Sequence, residues 1–231
     1  MIKVALAGNP NVGKTVIFNA LTGARQKVGN WPGVTVEKKE GVCEHKGFKM
    51  HIVDLPGIYG LSAASIDEKI ARDFILYEKP DVVVDIVDAS ILERNLYLTL
   101  QLIEIGANVV IALNKMDIAL AKGYKIDHYR LSKELGIPVV PTVAIKNQGI
   151  NKLKDAIIWA SKNPKRPVIR YNDEVENAIE SIQSMLPKNA SFPFSSRFLA
   201  IKILEMDEDI LKRVGIERGV IEKWTSLVTL Q

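Results

Sequence analysis

The residues best suited to chemistry form one run, Gly8-Asn9-Pro10-Asn11-Val12-Gly13-Lys14-Thr15. Glycines at both ends let the backbone curl until successive N–H groups face one point. Lys14 and Thr15 add an ammonium and a hydroxyl there. That chemistry suits phosphate: Lys14 reaches the β- and γ-phosphates, and the Thr15 hydroxyl ligates Mg²⁺. The apolar run Val4-Ala5-Leu6-Ala7 leads into the loop, and Val16-Ile17-Phe18-Asn19-Ala20-Leu21 leaves it with helical character. Strand, loop and helix in that order is the setting a P-loop requires. The helix N-terminus, with Val16 in its first turn, adds partial positive charge at the same place. Gly8 to Val16 are therefore expected to touch the phosphates of a nucleotide.

Four later stretches complete the constellation. Asp54-Leu55-Pro56-Gly57 closes a strand-like run; Asp54 is expected to hold Mg²⁺ through water, and the Gly57 amide to meet the γ-phosphate. Asn114-Lys115-Met116-Asp117 closes another. The Asp117 carboxylate can accept from both N1–H and the exocyclic amine of guanine; adenine offers an acceptor and no amine there. Lys115 can lay its stem over the base plane. After the last strand comes Thr142-Val143-Ala144, where the backbone at Ala144 suits guanine O6 and Val143 stands where a serine would add a hydroxyl. Thr35, at the end of Gly33-Val34-Thr35, is the candidate for a switch threonine that joins Mg²⁺ through its hydroxyl and the γ-phosphate through its N–H.

These residues must be carried by regular elements. Residues 22–36 are punctuated by three glycines and a proline and read as one long loop. Glu37–His45 and Phe48–Asp54, joined at Lys46-Gly47, read as an antiparallel hairpin. Ile58–Ser65 reads as a mobile segment before a helix from about Ile66 to Tyr77. Strand Asp81–Asp88, helix 91–105, strand Val109–Leu113, a helix near 125–135, strand Val139–Thr142 and helix 149–162 then alternate. Such alternation gives a mostly parallel sheet covered on both faces, with ligands at the carboxyl ends of its strands. The expected fold class is α/β, a P-loop GTPase architecture with one antiparallel edge hairpin, plus a small all-helical C-terminal domain. Asn163-Pro164-Lys165-Arg166-Pro167 marks the break, so the expected division is 1–165 and 171–231. The second part holds helical stretches Asp173–Met185 and Ser195–Glu205, a turn at Ser191–Ser196, and shorter helical pieces over 207–230.

Of the 231 residues, 47% are hydrophobic, enough for a sizeable core. Net charge is +4, with the basic excess in 1–170 and an acidic excess in 171–231. The acidic tail argues against an RNA-binding appendage, and nucleic acid is not expected as a partner. Cys43 is the only cysteine, so no internal disulfide forms, as suits a reducing compartment. Met1-Ile2-Lys3 runs directly into the first strand without a signal peptide, and no apolar stretch is long enough to span a membrane. His45, His51 and His128 are scattered, so no iron site is expected here.

The chain resembles the cytosolic amino-terminal part of the ferrous-iron transport protein B family. The resemblance is carried by Gly8–Thr15, Asn30–Glu37, Asp54–Leu61, Ser65–Asp73, the distinctive Val87–Leu102, and Ser195–Glu205. It implies a GTPase domain, then a helical spacer that stabilises bound GDP, then a transmembrane region that moves Fe²⁺ and is the chain's partner. It also implies a soluble fragment at the cytoplasmic face of the cell membrane. Self-association is left open. The resemblance includes K⁺-activated GTPases that use an asparagine at the Asn11 position, so Asn11 becomes the candidate K⁺ ligand and joins Lys14 and Thr35 as a catalytic candidate. Ile58 stands where Ras-type enzymes orient water with glutamine, and Arg25 is the nearest candidate for an arginine finger. Turnover is therefore expected to be slow. A nucleotide-sensing switch with no need of hydrolysis and a ribosome- or tRNA-associated GTPase are the alternatives.

Overall fold

A computed structural model describes residues 1–23, 26–62, 64–186, 194–215 and 219. Arg25, Ser191–Pro193 of the expected turn, and most of the expected helical pieces after Val214 lie outside the described residues.

The described residues divide into two compact units. The first comprises residues 1–103 and 107–167; the second comprises 104–106 and 168–231. In the first, seven strands form one sheet in the order β2-β3-β4-β1-β5-β6-β7. These are β1 (Ile2–Gly8), β2 (Gln26–Asn30), β3 (Glu37–His45), β4 (Phe48–Asp54), β5 (Val82–Asp88), β6 (Val109–Asn114) and β7 (Val139–Pro141). The pairs β1·β4, β1·β5, β5·β6 and β6·β7 are parallel, while β2·β3 and β3·β4 are antiparallel. Every residue of β5 and β6 is buried. Their near-continuous apolar runs, not alternating ones, are what helices on both faces require. The helices are α1 (Lys14–Thr22), α2 (Ile66–Asp73), α3 (Leu92–Glu104), α4 (Met116–Ala121), α5 (His128–Leu135) and α6 (Ile150–Lys162).

Four details depart from expectation. The loop expected over 22–36 contains β2, an edge strand with all five residues exposed. Its sequence lacks apolar alternation, and pairing with β3 alone makes it a strand. The expected helix to Tyr77 loosens after Asp73 into a π-helical turn, Phe74–Glu78. A short helix, α4, starts within the Asn114–Asp117 motif. The next helix begins later than expected because Asp127 caps it, accepting from the Arg130 N–H at 2.9 Å.

The second unit contains α7 (Asp173–Met185), α8 (Ser196–Leu204) and α9 (Glu208–Val214). Asn172, Ser195 and Asp207 cap their N-termini. Ile179, Ile182, Phe198, Leu199, Ile203 and Ile210 are buried. Arg197 grips both carboxylate oxygens of Glu176, at 2.8 and 2.7 Å, and the Ile169 carbonyl at 2.7 Å. That fork joins α8 to α7 and to the segment before it.

Candidate functional site

The expected phosphate loop spans the turn from β1 into α1. Asn9, Pro10, Asn11, Gly13, Lys14, Thr15, Val16 and Gly57 line one cavity of about 390 Å³. Two glycines are required by close approach. A Cβ on Gly13 would lie 2.5 Å from Asn114 Nδ2, and one on Gly8 would lie 2.7 Å from the Ile86 carbonyl oxygen. Gly8 and Val12 shape this loop from behind; Val12 is buried in the core.

Asp54, at the end of β4, is brought to the same place and is 7% exposed. Lys14 Nζ donates to its Oδ1 at 2.5 Å. Burial pushes the Asp54 carboxyl above its usual range, and the Lys14 ammonium only partly offsets that. Thus the cation expected for phosphate is held on the carboxylate expected for the metal. The buried Asp54 carboxylate and the Thr15 hydroxyl at the head of α1 are both oxygen donors, the kind Mg²⁺ prefers, so these residues fit that ion.

The base-reading stretch interlocks with the phosphate loop. Asn114 Nδ2 donates to the Val12 carbonyl at 2.9 Å, and Asn114 Oδ1 accepts from Thr142 Oγ1 at 3.2 Å and the Ala144 N–H at 3.0 Å. One buried amide therefore ties the loop after β1 to the loop after β7. Here the Ala144 amide donates to Asn114. Val143 is buried and closes its turn, donating to the Gln148 carbonyl at 3.1 Å and accepting from the Gln148 N–H at 3.2 Å. Lys115, in the left-handed conformation with φ 60°, turns its side chain back onto the Asn11 carbonyl at 2.7 Å. Asp117 Oδ1 accepts from the Ile118 N–H at 3.0 Å, and Lys146 Nζ lies 3.0 Å from Oδ2. The Lys146 ammonium, helped by that N–H, holds the Asp117 carboxyl below its usual range. Asp117 is therefore an anion with acceptor capacity, as guanine recognition needs. Lys146 was not singled out by the sequence; a lysine two residues beyond Ala144 is the only signal it gave.

Gly33, Val34 and Thr35 do not join the cavity. Their turn closes on itself: the Trp31 N–H donates to the Val36 carbonyl at 2.9 Å and the Val34 N–H to the Trp31 carbonyl at 3.2 Å. Trp31 is buried edge-on against Phe74, with ring centroids 5.6 Å apart, which pins the turn toward the π-helical segment. Ile58 is 2% exposed, so its side chain packs into the interior and offers nothing to a water. Gln101 holds the segment after it, accepting from the Leu61 N–H at 2.8 Å.

Comparison with known proteins fits this geometry. Residues 2–157 match the family described as ferrous iron transport protein B, and residues 171–229 match the FeoB cytosolic helical domain. The Fe(2+) transporter FeoB of Methanocaldococcus jannaschii is 56% identical over 214 residues, which is 91% of this chain and 32% of that protein. The Fe(2+) transporter FeoB of Escherichia coli K12 is 43% identical over 210 residues, 89% of this chain and 27% of that protein. The chain thus spans about a third or less of these relatives' length. Among solved structures, the cytosolic domain of the T. maritima FeoB iron transporter in its GMPPNP form superposes with a TM-score of 0.89 at 41% identity, covering 99% of this chain and 93% of that one. A point mutant of S. thermophilus NFeoB bound to GDP gives 0.90 at 40% identity, covering 100% and 88%.

Proposed function

The chain belongs to the ferrous iron transport protein B family, with its P-loop GTPase domain and cytosolic helical domain, and from that premise we propose that it binds GTP and GDP with Mg²⁺, hydrolyses GTP slowly, and so drives or regulates Fe²⁺ uptake by a membrane region of a longer protein. The observation that carries the reading is the meeting of the cavity at the loop after β1 with Asp54 and Asn114–Asp117 at the carboxyl ends of β1, β4 and β6.

In this reading the loop N–H groups and the α1 N-terminus receive the phosphates. Lys14 exchanges Asp54 for a phosphate oxygen; Thr15 and, through water, Asp54 are the residues that would hold Mg²⁺. The ion supplies positive charge to the phosphate oxygens. Asp117 fixes the base by two acceptor contacts, with Lys146 moving off Oδ2. Thr35 reaches the site only when the turn around Trp31 opens, so it reports the triphosphate. Ile58 gives no help to the attacking water, and the positioning and charge left to the loop make turnover low. Asn11 is the K⁺ candidate: its left-handed backbone, φ 66°, places it at the rim of the phosphate cavity.

The test is paired. Fluorescent guanine and adenine nucleotides are titrated onto the protein with Mg²⁺, and phosphate release is followed in K⁺ and in Na⁺. Tight guanine binding, weak adenine binding and faster release in K⁺, with the K⁺ advantage lost in Asn11→Ala, is the expected result. Equal affinity for both bases would overturn the guanine reading; equal rates in the two salts would remove the K⁺ assignment.

A further inference from the structure

Asp88 ends β5, is 5% exposed, and no step described above uses it. Its two oxygens do different work. Oδ1 accepts from the Ser90 N–H at 2.9 Å and the Ser90 hydroxyl at 2.8 Å, which caps the short 3₁₀ turn Ala89–Ile91. Oδ2 accepts from Lys115 Nζ at 2.7 Å. Its backbone N–H donates to Asn95 Oδ1 at 3.2 Å, so α3 fixes the residue from the other side. The same Lys115 ammonium donates to the Asn11 carbonyl at 2.7 Å. Asp88, Lys115 and Asn11 therefore form a chain from the end of β5, through the base-reading stretch, to the crown of the phosphate loop. Two of its members, Asn11 and Lys115, are non-glycine residues in the left-handed region, at φ 66° and 60°. Such conformations persist where the surroundings over-determine them. A lysine bonded only to a carbonyl at the rim would swing toward water. A buried carboxylate on its far side aims it and balances its charge.

We infer that Asp88 is a positioning residue for guanine nucleotide binding, acting through Lys115: it holds the Lys115 ammonium on the Asn11 carbonyl, and so sets the phosphate loop and the base-reading stretch at the separation a guanine nucleotide spans. The inference rests on the nucleotide reading above. Asp88→Asn separates the two roles, because the amide oxygen still accepts from Ser90 while the anionic partner of Lys115 is lost.

The experiment is a double-mutant cycle on the 231-residue chain, with the affinity for a fluorescent GDP analogue as readout and thermal melting as the folding control. Asp88→Asn is expected to weaken binding at least about tenfold, the loss typical of one charge-assisted bond. In a Lys115→Met background the same change should weaken it by less than about twofold, because its route of action is gone. Should Asp88→Asn fail to fold, Asp88→Glu, which keeps the charge and displaces it by a methylene, takes its place with a smaller loss and the same masking. Unchanged affinity in Asp88→Asn, or equal losses in the two backgrounds, would overturn the positioning role and leave the nucleotide reading standing. A parent protein that binds no guanine nucleotide would overturn that reading, and this inference with it.

Discussion

The base-and-phosphate side of the site and the switch side are built differently. On the first, polar side chains cross between loops: the buried Asn114 bonds to Val12 and Ala144, and the half-buried Lys115 bonds to Asn11 and Asp88. On the second, the turn 31–36 bonds to itself and is pinned by an aromatic contact, and Thr35 stands outside the cavity its chemistry suits. The contrast teaches that grip and turnover are separable. On the proposed function, residues of the first kind would set affinity for either nucleotide, because their partners are in place already. Residues of the second kind would act only after a rearrangement, and so would set what happens to the γ-phosphate.

The largest effect should come from the most connected residue. Asn114→Ala removes three hydrogen bonds that join the loops after β1 and β7. At about 1 kcal/mol each this predicts roughly a hundredfold loss of affinity for GDP and GTP analogues alike. Calorimetric titration checks it; a loss confined to the triphosphate would collapse the distinction between the two sides. Thr35→Ala should be the converse. GDP affinity should stay within about twofold of the parent, while single-turnover hydrolysis slows about tenfold or more. Equal weakening of GDP would place Thr35 with the preset residues.

The smallest functional effect belongs to Asp85, which shares β5 with Asp88. Both carboxylates are buried, yet their fates differ. Burial raises Asp85 from 3.8 to about 7, with only the Thr99 hydroxyl opposing it. At Asp88 the bonds from Lys115 and Ser90 outweigh burial and hold the carboxyl below its usual range. Between 3.8 and about 7 the folded protein keeps a proton on Asp85 that the unfolded chain has lost. Stability from this group is therefore complete below that window and falls as pH rises through it. Asp85→Asn should flatten that fall in melting temperature and leave nucleotide affinity unchanged. A variant that keeps the parent's slope would show that the core carboxylate is not its source.

Much of this was legible in the sequence because local rules carried it. The buried strands β1, β5 and β6 read as apolar runs, and three motifs fell at strand ends, where a parallel sheet collects ligands. The edge strand β2 was hidden: Gln26–Asn30 has no buried face, so no periodicity betrays it. The Asp88–Lys115 pair was hidden for another reason. Its members are 27 positions apart, one ending β5 and the other just past the end of β6, and only the register that sets Asp88 beside Asn114 brings them together. Lys146 on Asp117 is of the same kind, since a surface lysine gives no sign of its partner. The stance of Thr35 depends on Trp31 finding Phe74, a contact between segments distant in the chain.

Guanine reading by Asp117 is the claim on which the rest depends. Asp117→Asn replaces one acceptor with an amide N–H₂, so at least one donor of guanine loses its partner, while the carbonyl that xanthine carries in place of the amine gains one. Titration of parent and variant with fluorescent guanosine and xanthosine diphosphates measures this directly. The prediction is guanine binding weakened by at least about tenfold and xanthine binding tightened relative to the parent. A variant with parental guanine affinity and no gain for xanthine would contradict it, and would leave only the phosphate side of the site assigned.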